Sequence, residues 1–274
     1  SKVVTQDEVF NTNLDYFLRF DGSDGWLWLD SFAMGLNGGT GAIGGGGSTA
    51  RASADPVSVG LGSSAELLDL SGFLFAGTEI KNVEIEVYRS GSKSAMLVDE
   101  FLFDQVLVTG LNSSNAVDNV LSFDFAKFSH GHIDYTPAEA KGDVTLAGWD
   151  FETNKAYSVA PDADFAFKDV PLSSVHDPAQ LDYYIRFEGV AGSEWLNLHN
   201  FNLGFTNSGS PLGGAAGIGR VTAEDVLSAL GSNATGTALA GMLAAGSHIK
   251  NVDIEVYQLD AKGTRVLLDD FKFT

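Results

Sequence analysis

Three side chains near the middle of the chain have the types and spacing of a metal site. His130, His132 and Asp134 are two residues apart in a stretch that alternates like a strand, so all three share one face. A His-x-His-x-Asp trio can set three ligands around a zinc ion, given a fourth ligand or water and a second shell. The competing reading is a pair of surface histidines, since Asp134-Tyr135-Thr136 reads as a strand end. That reading is preferred, and a metal-dependent enzyme stays a lesser alternative.

Other motifs carry less chemistry. Gly39-Thr40-Gly41-Ala42-Ile43-Gly44 spells the dinucleotide fingerprint, but it runs on into Gly45-Gly46-Gly47-Ser48 with no helix start to meet a pyrophosphate. The acidic pairs Asp99-Glu100 and Asp269-Asp270 read as solvated charge, because neighbours on a strand point to opposite faces and cannot work as a glycosidase couple. A Gly-x-Ser-x-Gly elbow, a His-Glu-x-x-His helix and an EF-hand loop are all missing from the sequence. Trp26 and Trp195 occupy equivalent positions and are expected in the core, whereas Trp28, replaced by Asn197, is the better surface candidate. No catalytic residue and no cofactor is expected.

The elements that would hold these residues are organised by a repeat. Lys81-Asn82-Val83-Glu84-Ile85-Glu86-Val87-Tyr88 returns as Lys250-Asn251-Val252-Asp253-Ile254-Glu255-Val256-Tyr257. Both copies alternate with period two, so Val83, Ile85 and Val87 are expected to face a core, with Glu84, Glu86 and Tyr88 turned away. Leu14-Asp15-Tyr16-Phe17-Leu18-Arg19-Phe20 likewise matches Leu181-Asp182-Tyr183-Tyr184-Ile185-Arg186-Phe187, and Asp99 to Phe103 matches Asp269 to Phe273. The chain reads as tandem copies of one domain. The expected division is an extended segment 1–13, a first domain 14–160, a linker 161–180 and a shorter second domain 181–274.

Composition narrows the function further. With 36 acidic and 16 basic residues the net charge is −20, which repels nucleic acid and anionic membranes. Cysteine is missing, so disulfides and thiolate metal sites are out of reach. No apolar run reaches membrane-spanning length and Ser1-Lys2-Val3-Val4 has no signal-peptide core, so a secreted protein would have lost its signal or use another route.

Along the chain, strands are expected at Tyr16–Phe20, Trp26–Leu36 and Val57–Leu61. A helix follows from Ser63 to about Phe75, ended near Gly77. The Lys81 strand and its hairpin partner Ala95–Phe103 come next, then strands at Val106–Leu111, Asn119–Lys127, Gly131–Thr136 and Val144–Phe151. The second copy retraces this path, with its helix at Ala223–Leu230 or Thr237–Ala245, as far as the strand Val266–Phe273. The fold class is therefore mainly β.

Gly77-Thr78-Glu79-Ile80-Lys81-Asn82-Val83-Glu84-Ile85-Glu86-Val87-Tyr88 after a helix, Leu121-Ser122-Phe123-Asp124-Phe125-Ala126-Lys127-Phe128, and Gly148-Trp149-Asp150-Phe151-Glu152-Thr153-Asn154 together resemble the Hcp family of type VI secretion tube proteins. The resemblance covers most of 14–157 and the first two-thirds of a copy in 181–274. It implies two tandem β-barrels of packed antiparallel sheets, each with a short flanking helix. It also implies rings of six domains that stack into hollow tubes, and brings no catalytic residues.

The expected function is a secreted or extracellular bacterial structural protein that self-assembles. Its partners would be copies of itself, as a pseudo-hexameric trimer or a head-to-tail filament, with no nucleic acid and no membrane insertion. The alternative is a segment of a large secreted adhesin or matrix repeat protein. Since the second copy stops after Phe273, its barrel is expected to be completed from outside itself by the N-terminal strand of a neighbouring copy. The residues singled out for assembly are Val3, Val4 and Thr5 in the donated strand, with Phe271 and Phe273 in the shorter copy.

Overall fold

The computed structural model describes residues 14–23, 25–37, 52–62, 64–90, 95–114, 118–161, 181–190, 194–211, 219–230, 234–259 and 263–274. The first strands are β1 (Leu14–Phe20), β2 (Leu27–Leu29), β3 (Ser31–Ala33), β4 (Leu36–Asn37), β5 (Ser53–Ala54) and β6 (Val57–Leu61). Helix α1 (Ala65–Ala76) precedes β7 (Ile80–Ser90), β8 (Ala95–Ser114), β9 (Asp118–Tyr135), β10 (Lys141–Asp150) and β11 (Lys155–Ala156). The second half contributes β12 (Leu181–Phe187), β13 (Leu196–Asn207), β14 (Val221–Ala223), β15 (Leu227–Leu230), α2 (Ala234–Ala244), β16 (Val252–Leu259) and β17 (Arg265–Phe273). The pairing is antiparallel throughout, and all strands but β4 and β5 join one sheet system.

The β8–β9 hairpin dominates the first half. No proline interrupts it, and its 20- and 18-residue strands replace the four shorter ones expected from Ala95 to Thr136. Each long strand serves two partners in succession. β8 pairs with β7 over Ala95–Val106, then with β13 over Gly110–Ser114. β9 pairs with β6 over Asn119–Phe123, then with β10 over Lys127–Tyr135. Their apolar positions, with Phe103, Phe123 and Leu121 fully buried, enclose the main core together with Ile85, Val59 and Leu74.

Helix α1 has the ends its sequence calls for. The Ser64 hydroxyl accepts from the Leu67 amide at 3.2 Å, and Glu66 lies in the first turn, where the helix dipole favours an acid. Gly77 closes the helix in the left-handed region at φ 60°, which a side chain would strain. Leu67, Leu70 and Leu74 then fall on the face packed into the core.

The strand expected over Trp26–Leu36 needs correcting, and of the two places expected for the second helix only the later one is helical. The single strand expected over Trp26–Leu36 is broken into β2, β3 and β4, because the Asp30 amide turns aside to the Gly60 carbonyl and the Gly35 carbonyl accepts from Asp55. Its counterpart β13 runs unbroken for 12 residues. In the second half, Leu227–Leu230 is strand β15 rather than helix, and the helix is α2.

The registers of the halves coincide. β1 on β7 pairs Leu14↔Arg89 through Phe20↔Val83, and β12 on β16 pairs Leu181↔Gln258 through Phe187↔Val252. Both hairpins shift register at the same place, Val87/Tyr88 and Val256/Tyr257, leaving Val98 and Leu268 as the extra residues of two matching bulges. A second core of Tyr183, Ile185, Phe201, Leu203, Ile254 and Val256 fills the second half. Phe205 packs against both cores.

Candidate functional site

The β8–β9 register places Asp99 directly opposite His132 and Phe101 opposite His130. One Asp99 carboxylate oxygen lies 2.8 Å from His130 Nε2 and 2.8 Å from His132 Nδ1. The His130 ring stacks on Phe101 with centroids 4.2 Å apart. Asp134, the acid that spacing alone puts with the histidines, is exposed and 3.6 Å from His132 Nε2. Burial opposes ionisation of Asp99, but the two imidazole hydrogen bonds outweigh it and hold the carboxyl below its usual range. Asp99 came from another strand, so nothing in the local pattern of 130–134 pointed to it.

Asp99 and Glu100 are therefore not a solvated pair. Glu100 is buried opposite Glu86, itself fully buried, and with Glu84 these are the acids among the described residues whose ligand atoms all lie within 4.8 Å of one another. The face expected to be turned away is covered by Phe17, Tyr88, Leu97 and Ile133, with Trp26 and Trp28 packed against them. Burial pushes the Glu86 carboxyl up to about 8 even though the Tyr88 hydroxyl donates to it at 3.0 Å, and the neighbouring Glu84 and Glu100 push it further the same way.

The matching surface of the second half is open and charge-compensated. Tyr257 donates to Glu255 at 2.7 Å, and Lys272 pairs with Asp270 at 2.6 Å. Trp26 and Trp195 are half-buried rather than core residues. Each lies beneath an arginine, Arg19 at 4.7 Å and Arg186 at 4.8 Å, and those arginines reach Glu84 and Asp253 at 2.5 Å. The equivalence of the tryptophans marks a repeated arginine–tryptophan stack, not a buried position.

The halves meet edge to edge. Asn202–Thr206 of β13 pairs with Gly110–Ser114 of β8, the Phe205 ring stands on the Phe75 ring at 4.9 Å, and Asn207 Nδ2 donates to the Leu74 carbonyl at 3.3 Å. Beside this junction lies an apolar groove of about 350 Å³, with Asp269 to Phe273 on one wall and α1 on another. Phe271 and Phe273 thus lie together on a groove wall. Val3, Val4, Thr5 and the glycine run 39–48 lie outside the described residues.

No family model matches this chain, and no curated protein does. Solved structures do match. They are Hcp and type VI secretion proteins. A type six secretion system protein aligns at 17% identity and TM-score 0.46, over 53% of this chain and 99% of its own. Hcp1 from Salmonella typhimurium aligns at 16% and 0.42, over 53% and 99%. A type VI secretion system effector from Yersinia pestis aligns at 15% and 0.39, over 50% and 99%.

Proposed function

We propose that this chain is a secreted, non-enzymatic structural protein that assembles with copies of itself in the manner of a type VI secretion tube component. In this reading residues 14–160 and 181–274 are two units of one fold joined by the linker 161–180. The observation that carries it is the junction itself, where β8 of one unit and β13 of the next share a ladder sealed by Phe75, Phe205 and Asn207. The contact joins unlike surfaces. A second heterologous contact, made between chains, would close them into a ring or run on as a filament.

Three chains would supply six units for a pseudo-sixfold ring, alternating one contact within chains and one between them. The histidine cluster fits a structural role, because Asp99 engages both imidazoles as hydrogen-bond partners across two strands. Sedimentation velocity over a concentration series tests the proposal. Growth from the 29.0 kDa chain to larger discrete species is expected, and a single monomeric species at every concentration would contradict it.

A further inference from the structure

Three acids of the first half converge where charge is hardest to hold. Glu84 and Glu86 belong to β7 and Glu100 to β8, with Glu86 and Glu100 directly opposite each other. One oxygen from each of the three carboxylates lies within 4.8 Å of the other two. Glu86 is wholly buried and Glu100 is 7% exposed, and like charges set opposite each other across a ladder repel. Arg19 answers Glu84, and the Tyr88 hydroxyl donates to Glu86 Oε2. Glu86 Oε1 is enclosed and has no hydrogen-bond partner among the described residues. A carboxylate oxygen buried in that way is costly unless a positive charge or a proton reaches it.

The second half carries the same three acids and shows what lies among them there. Asp253, Glu255 and Asp270 stand in the register of Glu84, Glu86 and Glu100, and Tyr257 donates to Glu255 as Tyr88 does to Glu86. Opposite Asp253 on β17 is Lys272, whose ammonium lies 2.6 Å from Asp270. The hydrogen bond to Asp270, with the charges of Asp253 and Glu255 behind it, holds that ammonium in its charged form above the ordinary range. Opposite Glu84 on β8 the residue is Leu102, which offers no charge. Both halves therefore keep the acids, and only the second adds a lysine to them.

We propose that Glu84, Glu86 and Glu100 form a site for one divalent cation of calcium's size, taking the place that the Lys272 ammonium fills in the second half. The donors are all oxygens, the set that hard divalent cations prefer. Calcium forms bonds of about 2.3–2.6 Å, so oxygens spread over as much as 4.8 Å can share one ion, whereas magnesium, at about 2.0–2.1 Å, demands a tighter cage. The ion would tie β7 to β8 beside the cluster of Phe17, Tyr88 and Leu97. Without it Glu86 keeps a proton instead, because burial and the neighbouring acids oppose its charge. The site goes beyond self-assembly and does not depend on it.

Isothermal titration calorimetry of calcium into the full chain, first stripped with a chelator, tests the site. One saturable site per chain is expected, with magnesium bound more weakly. Glu86→Gln should weaken calcium binding roughly tenfold or more, and so should Leu102→Lys, which gives the first half the second half's own ammonium. Glu255→Gln, the matching change in the second half, should leave binding as it is. Leu102 is half-buried, so its variant keeps the test decisive should Glu86→Gln fail to fold. The proposal is overturned by a lack of saturable binding, by magnesium bound as tightly as calcium, by calcium binding indifferent to Leu102→Lys, or by its loss in Glu255→Gln.

Discussion

At Glu86 the sequence shows one face of the strand and hides the other. The alternation of Val83, Ile85 and Val87 is legible as a core face, and all three are buried. Glu86 is fully buried between Phe17 of β1 and Glu100 of β8, its partners on the neighbouring strands, so no local pattern signals its burial. The consequence is a pH dependence with a definite sign. The Glu86 carboxyl stands near 8 in the folded chain against an ordinary 4.5, so the folded state keeps a proton that the unfolded state releases between those values. Stability is fully present below about pH 4.5 and falls as pH rises toward 8, by up to about 1.4 kcal/mol per pH unit. Urea unfolding across that window should show the fall, and Glu86→Gln should remove most of it. Asp99 works the other way. Its carboxyl is held low, so its contribution is present above its ordinary range and is lost as pH falls. Asp99→Asn should cost about 1–2 kcal/mol at neutral pH and flatten the acid limb of the same profile.

Among the elements, those set by neighbours in sequence are the ones the sequence reveals. Ser64 and Gly77 bracket α1 because capping needs only nearby residues, and the β7–β8 pairing follows from alternation in both strands. The breaks between β2, β3 and β4 come from Gly60 and Asp55, far enough along the chain to leave no trace at Trp26–Leu36. Pairing of β13 with β8 is more remote still, since Leu111 and Phe205 meet although they lie 94 positions apart in the sequence. That junction is where substitution should act on both halves together. Phe205→Ala should cost about 1–3 kcal/mol, because the ring packs against both cores and stands on Phe75. In calorimetry it should split one cooperative transition into two as the halves uncouple. Asn207→Ala removes a buried hydrogen bond to the Leu74 carbonyl and should cost about 1 kcal/mol, with the same direction of effect on cooperativity.

For the whole molecule, the duplicated segments made the mainly β architecture legible, since twin registers follow from twin sequences. The joining of both halves into one sheet system was not, because it is written in strand edges rather than in side-chain alternation. Those edges carry the central claim, that unlike surfaces meet head to tail inside the chain and a second such contact joins chain to chain. Electron microscopy of the purified protein at assembling concentrations tests it most directly. Rings with six lobes and the mass of three 29.0 kDa chains, or filaments with that repeat, are the predicted result. Uniform single particles of one chain's mass at every concentration, with no ring or filament, would contradict it.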